Sequence, residues 1–177
     1  MLNQTVFAWA RTVVFFLALA APFVESLAQP SPLTYEGVVT RVVDGDTVWI
    51  RSTSSTETLK VRIVGIDAPE GCQAGGTALR AALAQLVKGK AVILVASPRR
   101  SHDDYGRLLA KIKVGEEDVG RLMVASGHAW SYGYKRSLGP YAAEQSRARV
   151  AGLGLFSDAN AETPRAFRKR YGRCYVQ

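Results

Sequence analysis

Apolar residues gather in short β-rich runs at 34–43, 47–51 and 59–66, lengths that suit strands. Asp44-Gly45-Asp46 separates the first two as a turn signal, and a polar Ser/Thr-rich stretch at 52–57 makes a hairpin loop before the third. Val61, Ile63 and Ile66 are among the apolar positions of that third run. The rhythm then changes. Leu79, Ala82, Leu83 and Leu86 fall on one face of a helix over 78–87, which Gly89 ends. Short apolar strands follow at 91–96 and 108–114. A helix over 118–126 buries Leu122 and Met123, with Gly127 as its stop. A third helix over 140–150 has Pro140 near its first turn. Five strands, three helices and a meander start predict an α+β domain whose strands can close into a small oligonucleotide-binding type barrel.

The N-terminus follows a different logic. Arg11 is the only charge before an apolar run from Val13 to Val24, which Pro22 interrupts. That run is about half of the ~20 residues a membrane span needs. Ser26-Leu27-Ala28 places small residues before Gln29, so 1–28 reads as a secretory signal. An uncleaved anchor is the alternative. Pro30 and Pro32 mark a linker over 29–34, the domain occupies 35–157, and 158–177 is a basic extension. Signal cleavage would leave the chain without stable membrane association, secreted or periplasmic and expected to be a monomer.

The chain carries a formal charge of +8. Loss of the signal removes one base, Arg11, and one acid, Glu25, so the balance is unchanged. Such a charge attracts polyanions; nucleic acid is one, an anionic envelope polymer another. The two cysteines, Cys72 and Cys174, would enter an oxidising compartment, where they pair or stay as free thiols. No CxxC or Cys/His cluster suggests zinc.

The candidate chemistry lies at the ends of the first strands. Asp46 and Asp67 each sit at a strand end, so neighbouring strands can bring their carboxylates together. The Ala68 carbonyl offers another oxygen, and an all-oxygen, incomplete ligand set suits calcium. Asp44 is placed to orient a metal-bound water, or merely to make the turn. Glu70, stiffened by Pro69, can accept a proton from an attacking water or simply order it; as a plain loop residue it would do neither. Arg62 and Arg107 can hold a phosphate and the charge that develops on it, or form ion pairs with Asp103, Asp104 or Glu57. Tyr105, Tyr132 and Tyr134 lie near Arg107, Lys135 and Arg136, where they would stack bases or pack in hairpins. Trp49 and Trp130 read as core. His102 and His128 are isolated and read as loop or packed residues. Arg165, Arg168, Lys169, Arg170 and Arg173, with Phe167, Tyr171 and Tyr175, read as a solvated tail stitched down at Cys174, with extra backbone contacts as the other possibility.

Three segments in order carry a resemblance: Val42-Val-Asp-Gly-Asp-Thr-Val48, Val61-Arg-Ile-Val-Gly-Ile-Asp-Ala-Pro-Glu70 and Asp104-Tyr-Gly-Arg-Leu-Leu-Ala110. With Gly127-His-Ala-Trp130, Tyr141-Ala-Ala-Glu144 and Gly152-Leu-Gly-Leu-Phe156, they resemble the micrococcal (staphylococcal) nuclease or thermonuclease family over about 35–157. The resemblance implies a five-stranded barrel with three helices and calcium-dependent hydrolysis of DNA and RNA to 3′-phosphates. It implies Asp46, Asp67 and the Ala68 carbonyl as metal ligands, Glu70 assisting water, Arg62 and Arg107 on the phosphate, and Tyr105 on a nucleotide. Tyr132 and Tyr134 align less closely. Ala68 and Asp104 depart from the best-known member, which has threonine and lysine there; the first is expected to be tolerated, since the backbone oxygen is the ligand, and the second to weaken substrate binding. A non-catalytic binding module on the same barrel is the rival reading, and a degenerate copy would have lost some of these acids or arginines.

Overall fold

The computed structural model describes residues 31–135, 137–172 and 174. The predicted signal segment, Arg136, Arg173 and Tyr175 lie outside them. Strand β1, Leu33–Val42, runs antiparallel to β2, Thr47–Ser52, on one side and to β5, Ala91–Ala96, on the other. A register shift between Val39 and Arg41 bends β1, which lets one long strand serve both halves of a closed sheet. β2 continues to β3, Thr58–Ile63, and β5 to β6, Leu108–Val114. The parallel pairing of β3 with β6, Val61 opposite Leu108 and Ile63 opposite Ala110, closes the five strands into a barrel. The predicted fold class is therefore the observed one.

Inward-facing Val39, Val48, Ile50, Val61, Ile63, Leu94 and Ile112 fill the barrel and are almost wholly buried. Helix α1, Gly76–Val87, covers it with Leu79, Leu83 and Val87. Helix α2, Val119–Ala125, adds Met123 and Val124, while Leu122 is only half-buried. Asp118 caps α2 by accepting the Arg121 N–H at 3.1 Å. α2 follows the short strand β7, Glu117–Asp118.

A second pair of strands matters for the site. β4, Ile66–Asp67, pairs with β8, Trp130–Ser131, Asp67 standing opposite Trp130. Gly65 turns the chain from β3 into β4 at φ 82°, and a Cβ there would lie 2.6 Å from Pro140 Cγ. Helix α3, Ala142–Val150, begins two residues after Pro140 rather than around it. Trp130 meets Phe156 edge-to-face at 5.9 Å in a small satellite core, as expected for a core tryptophan.

Two expectations change. Trp49 is not core: it is half-buried on the outer face of β2, with Arg41 4.9 Å and Lys60 5.8 Å from its ring centre. Arg41 and Lys60 are its cross-strand neighbours, so strand alternation turns Trp49 outward while Val48 and Ile50 point in. The C-terminal segment is not a solvated tail: 164–171 forms a fourth helix, α4, Pro164–Tyr171. Thr163 caps it through the Ala166 N–H at 3.3 Å, and Pro164 sits in its first turn. Cys174 is bonded to Cys72, with Cα atoms 5.8 Å apart.

Candidate active site

Two turns bring Asp46 and Asp67 together. In the first, Asp44 Oδ1 accepts the Asp46 N–H at 3.0 Å, and Val43 N–H reaches Thr47 O at 2.8 Å. Asp44 thus holds the turn. Burial and the neighbouring Asp46 charge push its carboxyl up to about 7. In the second, the Ala68 N–H donates to Asp46 Oδ2 at 3.2 Å, joining segments 22 residues apart. Gly45 makes that approach possible, since a Cβ there would fall 2.5 Å from Ala68 Cβ. Asp46 and Asp67 are both buried, so each charge needs a partner.

Arg62 is that partner. It leaves β3 opposite Thr47, and its Nη2 stands 2.9 Å from Asp46 Oδ2 and 3.6 Å from Asp67 Oδ1. The same guanidinium donates to the Ile63 carbonyl and, at 3.0 Å, to the Ile66 carbonyl. Those carbonyls belong to the turn that Gly65 makes, so one side chain secures both the turn and the acid pair.

Arg107 comes from the loop before β6. Asp103 holds it, accepting from Nε and lying 2.8 Å from Nη2. Burial alone would raise the Asp103 pKa, but the hydrogen bonds and charge of Arg107 and the Tyr105 N–H together lower it. Arg107 Nη1 still reaches inward and donates to Thr47 Oγ1 at 3.1 Å, and that hydroxyl donates to Asp46 Oδ1 at 3.1 Å. Arg107 is thus ion-paired with Asp103 and at the same time linked through Thr47 to the acid cluster.

Glu70 faces an unexpected neighbour. Arg168, from α4, places Nη1 3.0 Å from Glu70 Oε1 and 3.1 Å from Asp67 Oδ1, and Nη2 3.1 Å from Asp67 Oδ2. Burial raises the Asp67 pKa and Arg168 only partly offsets this. Burial would lower the Arg168 pKa, but its hydrogen bonds and charge contacts with Asp67 and Glu70 raise it instead. Arg168 had no marker in the sequence beyond Thr163-Pro164, which announces a helix start but not what the helix touches.

Tyr105 is exposed, with Arg107 Cζ 5.5 Å from its ring centre. It shares a concavity of about 300 Å3 with Arg107, Thr47, Asp44, Lys60 and Trp49. Tyr132 and Tyr134 are exposed on the loop after β8. The Tyr132 N–H donates to Gly65 O at 2.9 Å, which fixes that loop to the turn below Asp67. Tyr134 has Lys135 Nζ 5.5 Å from its ring centre. His102 bonds Ser101 Oγ at 3.0 Å, and His128 lies in the turn after α2.

Among the described residues, no three Asp, Glu, His or Cys side chains converge on one metal-sized point. Asp46, Asp67 and Glu70 instead alternate with Arg62 and Arg168. Residues 60–158 match the family described as staphylococcal nuclease homologue. The chain belongs to the staphylococcal nuclease family. It is 32% identical over 163 residues to a micrococcal nuclease of Shigella flexneri, covering 86% of this chain and 91% of that one. It is 34% identical over 132 residues to an uncharacterized endonuclease of Haemophilus influenzae, covering 75% and 72%. A similar uncharacterized endonuclease of Escherichia coli is 35% identical over 135 residues, covering 76% and 85%. The family match spans Arg62, Asp67, Glu70 and Arg107 and stops before α4.

Proposed function

We propose that this member of the staphylococcal nuclease family is an exported, calcium-dependent endonuclease that cleaves DNA and RNA to 3′-phosphate products. One observation carries the reading. Arg62 gathers Asp46 and Asp67, and Thr47 links Arg107 to the same carboxylate. Two acids and two arginines from distant segments thus share one point on the surface of a barrel.

The donor set fits a hard divalent cation. Asp46, Asp67 and the Ala68 carbonyl offer only oxygen, and guanidinium groups stand beside both carboxylates as cations. Three protein ligands would leave the remaining positions of calcium to water and phosphate oxygens. When bound, calcium would add positive charge beside the phosphate and so favour attack on phosphorus.

The chain's own residues supply the rest. Arg107 and Arg62 bind the phosphate and stabilise the additional negative charge of the transition state. Glu70 accepts a proton from the attacking water as the new P–O bond forms. The bond to the 5′ oxygen breaks, that oxygen takes up a proton, and the phosphate stays on the 3′ side. Tyr105 and Trp49 line the concavity beside Arg107 and offer ring faces to a neighbouring base, while Lys60 attracts its phosphate. Tyr132 and Tyr134 would meet the strand on the β8 side.

Export is supported by the predicted signal over 1–28 and by the Cys72–Cys174 bond, which an oxidising compartment maintains. Among the described residues, no helix is long and apolar enough to cross a membrane.

The test is digestion of single-stranded DNA and of RNA with calcium, with other divalent ions and with chelator, followed by end-group analysis. Cleavage with calcium, its loss on chelation and 3′-phosphate ends are expected. No cleavage of either polymer under any ion would overturn the proposal.

A further inference from the structure

Arg168 stands where a catalytic cation would have to act. Among the described residues, its guanidinium donates to Asp67 and Glu70, and it engages both oxygens of Asp67. On Glu70 it engages one oxygen, Oε1, at 3.0 Å. Asp46, Asp67 and Glu70 supply three negative charges, and Arg62 and Arg168 supply two positive ones. A divalent cation placed beside Asp67 would face the Arg168 guanidinium at close range. Like charges within a few ångströms in a partly buried site repel strongly.

Among the described residues, the helix carrying Arg168 buries little of itself. Only Pro164 of α4 is buried. A concavity of about 470 Å3 separates Phe167 and Tyr171 from Trp130 and Leu155. Among the described residues, the ties of this segment include polar and covalent ones. Gln73 Nε2 donates to Glu162 O at 2.7 Å, Arg170 Nη2 lies 3.4 Å from Glu162 Oε1, and Cys174 is bonded to Cys72, two residues after Glu70. An element with so little apolar contact opens at low cost compared with the barrel. The disulfide limits how far it can travel.

We propose that Arg168 is an internal competitor of the metal: it occupies the Asp67–Glu70 pair as a resident cation, and α4, tethered by Cys72–Cys174, must swing it aside before a divalent ion and substrate can be used. This rests on the calcium-dependent reading above and adds a control on that site. Arg168 pairing and calcium binding are then linked, each weakening the other by the same factor.

The experiment uses the full chain with its disulfide formed and compares wild type with Arg168→Gln. Calcium affinity is measured by titration calorimetry, and the rise in Tm on adding calcium is measured alongside. Arg168→Gln is expected to bind calcium at least tenfold more tightly, to gain more Tm from it, and to melt lower than wild type in chelator. A Cys72→Ser/Cys174→Ser double variant, freed from the tether, is expected to shift calcium affinity in the same direction by a smaller factor. Should Arg168→Gln fail to fold, Arg168→Lys, which keeps the charge but not the paired contacts, is expected to show an intermediate gain. Calcium affinity equal to or weaker than wild type in the folded Arg168 variant would overturn the proposal. A raised KM for DNA at unchanged calcium affinity would do so too, and would make Arg168 a phosphate contact. Calcium-independent cleavage by the wild type would instead defeat the metal reading itself, so the two failures are distinct.

Discussion

Arg107 donates to the Thr47 hydroxyl at 3.1 Å across a sequence gap of 60 residues. The loop-borne arginine is thereby aimed at Asp46 even though Asp103 holds its other nitrogens. A hydroxyl suits this place because it accepts from the guanidinium and donates to the carboxylate at once.

Thr47→Val keeps the shape of the side chain and removes that relay. Thr47 is buried, so the substitution leaves one donor of Arg107 and one acceptor of Asp46 unpaired, at about 1–3 kcal/mol each before relaxation. Nuclease turnover is expected to fall about tenfold or more, since ~1.4 kcal/mol of lost transition-state stabilisation is a factor of ten. The circular-dichroism spectrum is expected to remain that of the wild type. Unchanged turnover would show that Thr47 does not aim Arg107.

Arg62→Lys tests whether the charge or the planar geometry matters. Lysine offers one compact ammonium and cannot serve Asp46 and the Ile63 and Ile66 carbonyls together. Loss of the carbonyl contacts is expected to lower stability by about 1–3 kcal/mol, read as a shift in the urea midpoint. Activity is expected to fall further than Thr47→Val lowers it. A lysine variant with wild-type kinetics would show that a point charge is enough.

Away from the site, Tyr141 donates its buried hydroxyl to Asp118, 2.9 Å from Oδ2 and 3.0 Å from Oδ1. Burial and that carboxylate raise the tyrosine pKa strongly. Tyr141→Phe removes a bond to a charged acceptor and is expected to cost about 2 kcal/mol, read by urea denaturation. Asp118 keeps its cap on α2, so helix content is expected to hold. A midpoint equal to wild type would contradict this.

His128 gives a pH dependence whose sign follows from burial. Burial lowers its pKa in the folded state below the ordinary imidazole value of 6.5. As pH falls through 6.5 the unfolded chain takes up a proton that the folded chain refuses, so stability declines until the lowered folded value is passed. Urea midpoints at pH 7.5 and pH 5.5 should therefore differ more in wild type than in His128→Asn. Parallel pH profiles in the two proteins would contradict the expected linkage.

Much of the fold was legible because its signals are local. Asp44-Gly45-Asp46 is a turn whose own side chain bonds its own backbone, and Leu79 and Leu83, read as one helix face, are both buried in α1. Acids at strand ends stay at strand ends whatever packs around them. Hence Asp46 and Asp67 were findable before any coordinates. Trp49 was misread because a large apolar ring suggests core, whereas its strand position sets it outward among Arg41 and Lys60. The C-terminal segment was misread because basic residues without apolar periodicity suggest solvent.

The sequence by itself determined the barrel strands, though not the break at Gly65 or the short strands β4, β7 and β8, together with the turns that carry the acids and the family to which they belong, since each depends on neighbours a few positions away. Tertiary structure alone decided that Cys72 meets Cys174, that Thr47 joins Arg107 to Asp46, and that Arg168 settles on Asp67 and Glu70. These contacts join residues remote in sequence. A buried carboxylate takes whichever cation the closed chain brings within about 3 Å, and closure of the barrel is what brings it there.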